Sequence, residues 1–241
     1  MQNTIKIPTV IKNTVIRHNY LTMEQRASIT SVIIPDGIET IEGYAFEQCV
    51  KLKEVKIPSS VKSMGVSVFK NCCSLETVDM SETDINYINQ NMFFACSSLK
   101  RIILPKSVRR IGLGAFSCCK NLLSIDLPDN MDDIGVGAFQ DCVSLKHVTM
   151  PKFIKSRSIL NHTFKNCESL EKIEIPENVT EIYPLAFLNC ISLKEVILPD
   201  TIKHIGNNAF YNCYSLEKIN IPKNICDADE FIKMHRKRKD R

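Results

Sequence analysis

Residues 111–128 read IGLGAFSCCKNLLSIDLP. Ile111, Ala115, Phe116, Cys119, Leu122, Ile125 and Leu127 are its apolar positions, and Pro128 closes it. The same offsets recur along most of the 241 residues. Cysteine marks the clearest column: Cys49, Cys72, Cys96, Cys119, Cys142, Cys167, Cys190 and Cys213, at steps of 23, 24, 23, 23, 25, 23 and 23 residues. A phenylalanine stands three residues before each of them, from Phe46 to Phe210, and a leucine three residues after, from Leu52 to Leu216. Pro58, Pro105, Pro128, Pro151, Pro176, Pro199 and Pro222 end the units, with Ser81 in that place once.

A unit of this length cannot bury its apolar face alone, and stacked units share one long core in which each touches only its neighbours. The Leu-x-x-Ile-x-Ile segment ends in the period-2 alternation of a short strand buried on one face. Proline stops the ladder because it has no N–H to donate. A second apolar pair follows, such as Val108 with Ile111, and Ala-Phe-x-x-Cys turns the chain back. The fold predicted is a β-rich solenoid of about eight coils of 23–25 residues with short parallel strands, capped at both ends.

Units reading Ile-Pro-x-x-Val-x-x-Ile-Gly-x-x-Ala-Phe-x-x-Cys-x-x-Leu-x-x-Ile resemble the BspA-like leucine-rich-repeat family over roughly residues 29–222. The resemblance implies a leucine-rich-repeat solenoid and protein recognition. The family includes many surface proteins of anaerobic bacteria and parasitic protists, for which adhesion is proposed.

Three regions are expected. Residues 1–28 lack the Phe and Cys columns and read as an N-terminal cap, with Ile5-Lys6-Ile7-Pro8 resembling the end of a degenerate unit. Residues 29–222 form the solenoid. Residues 223–241 hold a cap helix, with acids at its start and bases at its end to suit the helix dipole, and a basic tail. Repeat six carries two extra residues around Lys155-Ser156-Arg157-Ser158. Such insertions emerge as loops on one face, either tolerated bulges or part of a binding surface.

The chain holds 31 Lys and Arg against 27 Asp and Glu, but five of those bases and one acid fall in residues 235–241, so the solenoid itself is balanced. A nucleic-acid reader shows a basic stripe on its body. Here Arg236, Lys237, Arg238 and Lys239 form a tail, readable as a solvated end or as a nuclear-localisation or polyanion-binding patch. Eight of the 11 phenylalanines belong to the core column, so they are no stacking platform for bases or sugars.

Cysteines one coil apart present parallel side chains about 4.8 Å from each other, too far and wrongly aimed for disulfides. The eight-member column is therefore read as a structural ladder of reduced, buried thiols acting as small hydrophobes. Cys73, Cys118 and Cys226 lie off it. The five histidines do not pair with cysteines at zinc-site spacing, and no nucleotide-binding or metalloprotease motif occurs. No catalytic residue, metal or cofactor is assigned. Two Asn-x-Thr sequons, at Asn161 and Asn178, carry little weight without an export signal.

What remains is the outward face of the strands, where residue types change from copy to copy while the core columns stay constant. Its candidate partner-binding residues are Lys56, Asp79, Arg101, Ile103, Asp126, His147, Lys172, Glu174, Ile197 and Lys218. The expected function is a non-enzymatic protein–protein interaction scaffold, monomeric, for a protein or peptide ligand. The alternatives are a surface adhesin and a nuclear or nucleic-acid-associated adaptor using the tail. With no apolar run near the start and no 18-residue apolar stretch, the expected location is cytoplasmic or nuclear, with the cell surface as the alternative.

Overall fold

Each Leu-x-x-Ile-x-Ile segment forms a strand in the computed structural model, which describes residues 4–6, 15–129, 131–222 and 225. These outward-facing strands are β1 (Thr4–Lys6), β3 (Ser31–Ile33), β5 (Glu54–Lys56), β7 (Thr77–Asp79), β9 (Arg101–Ile103), β11 (Ser124–Asp126), β13 (His147–Thr149), β15 (Lys172–Glu174), β17 (Glu195–Ile197) and β19 (Lys218–Ile219). Their middle residues point inward and most outer residues face water, as the alternation requires.

The Val-x-x-Ile pair of each coil builds a second parallel ladder that the sequence reading treated only as an apolar pair. Its members are β2 (Val15–Ile16), β4 (Thr40–Ile41), β6 (Ser63–Met64), β8 (Tyr87–Ile88), β10 (Arg110–Ile111), β12 (Asp133–Ile134), β14 (Ser158–Ile159), β16 (Glu181–Ile182) and β18 (His204–Ile205). These strands mark about nine turns, one more than the Phe and Cys columns show. The extra turn lies where a cap was expected: β1 pairs with β3 and β2 with β4, both in parallel register.

The helix α1 (Met23–Ser28) follows β2. Thr22 and Gln25 form a reciprocal capping box at its start. Arg26 lies buried on it, and its guanidinium donates to the carbonyl oxygens of Tyr44 (3.0 Å), Glu47 (2.8 Å) and His18. The expected C-terminal helix falls outside the described residues.

The third side of each turn is Ala-Phe-x-x-Cys. Two residues in every such segment have φ between +51° and +63°, for example Asn91 with Ala95 and Leu185 with Asn189. This left-handed geometry reverses the chain twice and lets alternate amides reach the next coil, as Phe93 N–H reaches the Ala115 carbonyl at 2.8 Å. Inside, the eight phenylalanines are fully buried and stack in a continuous column, with ring centroids 4.9–5.5 Å apart and planes within 12° of parallel. Each such contact adds about 0.5–1.5 kcal/mol beyond simple burial.

Neither sheet is continuous. The outward sheet divides into β1-β3-β5-β7-β9, β11-β13 and β15-β17-β19, and the second into β2-β4-β6, β8-β10-β12 and β14-β16-β18. Only between repeats five and six, where two residues are inserted, do both break among the described residues.

Candidate recognition surface

Two rows of side chains leave each outward strand, one from its first residue and one from its third. Lys56, Arg101, Ile103, Asp126, His147, Lys172, Glu174 and Lys218 are exposed, whereas Asp79 and Ile197 are half-buried. All ten thus lie on one long face, in register from coil to coil within each segment of the outward sheet.

Several of these groups are already engaged. Lys56 pairs with Glu82 (3.2 Å) and Lys172 with Glu195 (3.1 Å). Thr149 donates its hydroxyl to Asp126. Asp79 accepts from the Ser81 hydroxyl (2.7 Å) and amide (3.0 Å), and these bonds hold its carboxyl below the usual range. Among the described residues, Arg101, His147, Glu174 and Lys218 make no side-chain hydrogen bond or ion pair.

Two hollows interrupt this face. A shallow trough of about 560 Å³ runs over β1 to β9, between exposed Ile33 and Ile103, with Glu54, Lys56, Thr77, Asp79 and Arg101 along it. Thr4, Ser31 and Ile33, which also line it, were missed by the sequence reading. The signal was available, since Val32-Ile33-Ile34-Pro35 ends as the other strands do. The second hollow, about 470 Å³, opens between β13 and β15 beside Phe153 and is treated below.

Behind the face lies the cysteine column. All eight members are buried, and none of the ten described cysteines is joined to another. From Cys72 onward each thiol donates to the carbonyl of the phenylalanine in the preceding coil, at 3.0–3.2 Å. Cysteine thus serves as a small hydrophobe that also satisfies a backbone acceptor. Burial pushes the thiols of Cys72, Cys96, Cys119, Cys142, Cys167 and Cys190 up, away from nucleophilic thiolate. Cys73 is exposed and Cys118 half-buried. Cys226 and the basic tail, Arg236, Lys237, Arg238 and Lys239, lie outside the described residues.

Among the described residues no three His, Cys, Asp or Glu side chains converge as metal ligands, and no helix is long and apolar enough to cross a membrane. Both sequons are occupied by the fold. The Thr163 hydroxyl is buried and donates to the Leu160 carbonyl, and the Asn178 amide bonds to both the N–H and the C=O of Ile154.

The family model described as the BspA type leucine-rich-repeat region matches residues 19–146 and 110–232, with six copies. The chain belongs to this family. The BspA-type solenoid is also similar to solved structures. A leucine-rich repeat protein from Bacteroides ovatus is 28% identical with a TM-score of 0.72, over 92% of this chain and 52% of that one. The T. pallidum leucine-rich repeat protein is 28% identical with a TM-score of 0.59, over 86% of this chain and 84% of that one. The present chain therefore spans about half the length of the Bacteroides ovatus protein. No curated protein matches it.

Proposed function

We propose that this BspA-type solenoid is a non-enzymatic scaffold that recognises a protein or peptide along its outward strand face, chiefly over β1 to β9. The observation that carries the reading is the trough of about 560 Å³ on the one unbroken five-stranded stretch. Its lining changes at every coil, from Ile33 through Lys56 and Asp79 to Ile103, while the Phe, Cys and Leu columns beneath do not change. A rigid surface with two aliphatic ends and fixed charges between them suits an extended peptide better than a small metabolite, which needs a deeper enclosure. We place the scaffold in a reducing compartment, the cytoplasm, because exposed Cys73 and half-buried Cys118 are carried as free thiols.

Selection from a random peptide library tests this. Peptides retained by the intact chain should be lost with Arg101→Glu or Ile103→Asp and kept with Tyr44→Ser, an exposed residue on the turn side. Equal retention by all three variants would sink the reading.

A further inference from the structure

Between β13 and β15 the outward sheet opens. At four other junctions the amide after one strand donates to the last carbonyl of the next, as Leu127 does to Thr149 (3.0 Å) and Ile175 to Ile197 (2.9 Å). No such bond links Met150 to Glu174. Val148 and Met150 are only half-buried, although their column neighbours Ile125, Ile173, Leu127 and Ile175 are buried. Phe153, two residues after Pro151 and just before the inserted residues, is 49% exposed. The crevice thus formed has a volume of about 470 Å³ and an apolar floor of Val148, Met150 and Ile175. The carboxylates of Glu174 and Glu177 stand at its rim and have no cation bound to them among the described residues. Lys152, the one base there, is held by Asp129 at 3.4 Å.

We propose that this crevice is an anchor site for an arginine side chain of a protein partner. The aliphatic stem lies on Val148, Met150 and Ile175, and the guanidinium sits between Glu174 and Glu177 against the Phe153 ring. Arginine fits better than lysine because its planar, weakly hydrated cation stacks on aromatic rings and forks between carboxylates. Met150 lines the same opening, and its amide, which makes no bond to Glu174, would be offered to a partner carbonyl. The proposal rests on the reading of the outward face as a protein-recognition surface, to which Glu174 belongs, and it names what one part of that face recognises.

The test uses N-acetyl-arginine amide as the probe, titrated into the isotope-labelled full chain and followed by NMR. The uncharged isostere N-acetyl-citrulline amide is the control. Expected are millimolar binding of the arginine probe, shifts centred on Phe153, Glu174 and Glu177, and weakening by high salt. The double variant Glu174→Gln/Glu177→Gln should lose about tenfold in affinity, and Phe153→Leu about threefold. Equal binding of citrulline, or an unchanged affinity in the double variant, overturns the proposal. So does a tenfold gain on removing residues 235–241, which would make the chain's own basic tail the occupant. Because peptide selection over β1 to β9 depends on Arg101 and Ile103 and not on these residues, failure here is distinct from failure of the strand-face reading.

Discussion

A β-carbon on Gly112 would stand 2.6 Å from the backbone nitrogen of Gln90 in the preceding coil. Gly65, Gly135 and Gly206 occupy the same column and approach the coil before them just as closely, at 2.2–2.6 Å. In all four the amide donates to a carbonyl of that coil, at 2.7–2.8 Å. Both interruptions of the second sheet fall where the column holds a side chain instead, at Asn89 and at Leu160. At Asn89 the side-chain amide replaces the backbone donor to the Met64 carbonyl. Glu42 and Tyr183 keep the backbone bond, so a side chain permits the interruption without forcing it. Gly112→Ala should therefore cost about 1–3 kcal/mol through overpacking, read from the urea midpoint. Asn89→Gly should restore the backbone bond and slow hydrogen exchange at residue 89, whereas Asn89→Ala should cost about 1–2 kcal/mol by orphaning Met64.

Arg26 closes the first complete turn by satisfying three carbonyls at once. Bonds from a charged donor contribute about 1.5–3 kcal/mol, so Arg26→Ala should destabilise the N-terminal coils by about 3 kcal/mol. Stability in a stacked array is largely local. Hydrogen exchange should therefore quicken across residues 15–64 while the coils after β10 keep their protection. Uniform quickening would show that the array unfolds as one unit.

The buried thiols set an upper pH limit. In the unfolded chain cysteine titrates near 8.5, whereas burial holds the folded value higher. Above about pH 8.5 the unfolded state releases protons that the folded state retains. The stabilisation is complete below that pH and is lost as pH rises towards the folded values. Each thiol contributes a slope of about 1.4 kcal/mol per pH unit. Six acting together should bring the urea midpoint down steeply between pH 8.5 and 10. A midpoint unchanged across that range would count against the buried ladder.

Asn166, Asn189 and Asn212 stand in a left-handed column and donate in sequence to Asp141, Asn166 and Asn189, at 2.5–2.7 Å. Cys118 shares that column at φ +62°, with its thiol 3.7 Å from the Asp141 carboxylate. Asparagine tolerates this backbone region better than cysteine and has an amide to offer. Cys118→Asn should raise stability by about 0.5–1 kcal/mol, read from thermal unfolding under reducing conditions.

The repeat length, the core columns and the outward face were legible because each rests on a side-chain type recurring at a fixed step. The second sheet was not, since two-residue strands leave no period of their own. The first turn was hidden because neither Phe nor Cys marks it, and only Ile5 and the Val32-to-Pro35 run betray it. Arg26 looks like any surface arginine on a short helix; its burial follows from carbonyls that lie 18 and 21 residues further on. The crevice beside Phe153 was half legible. Repeat six showed its extra residues around Lys155, but not that β13 and β15 would part.

At that junction the turn side stays fastened: Gly137, Phe139 and Asp141 donate to the next coil, and the Cys167 thiol reaches back to Phe139. On the second-sheet side Lys155 and Ser156 donate to the carbonyls of Met131 and Asp132 at 2.9 and 3.0 Å, so the junction is loose only along β13 and β15, which is the construction of a door hinge. A rod of stacked turns bends at its loosest joint, so tension applied at the chain ends would concentrate between repeats five and six. Whatever seats itself in that gap would act as a wedge, stiffening the rod and fixing the angle between its two halves.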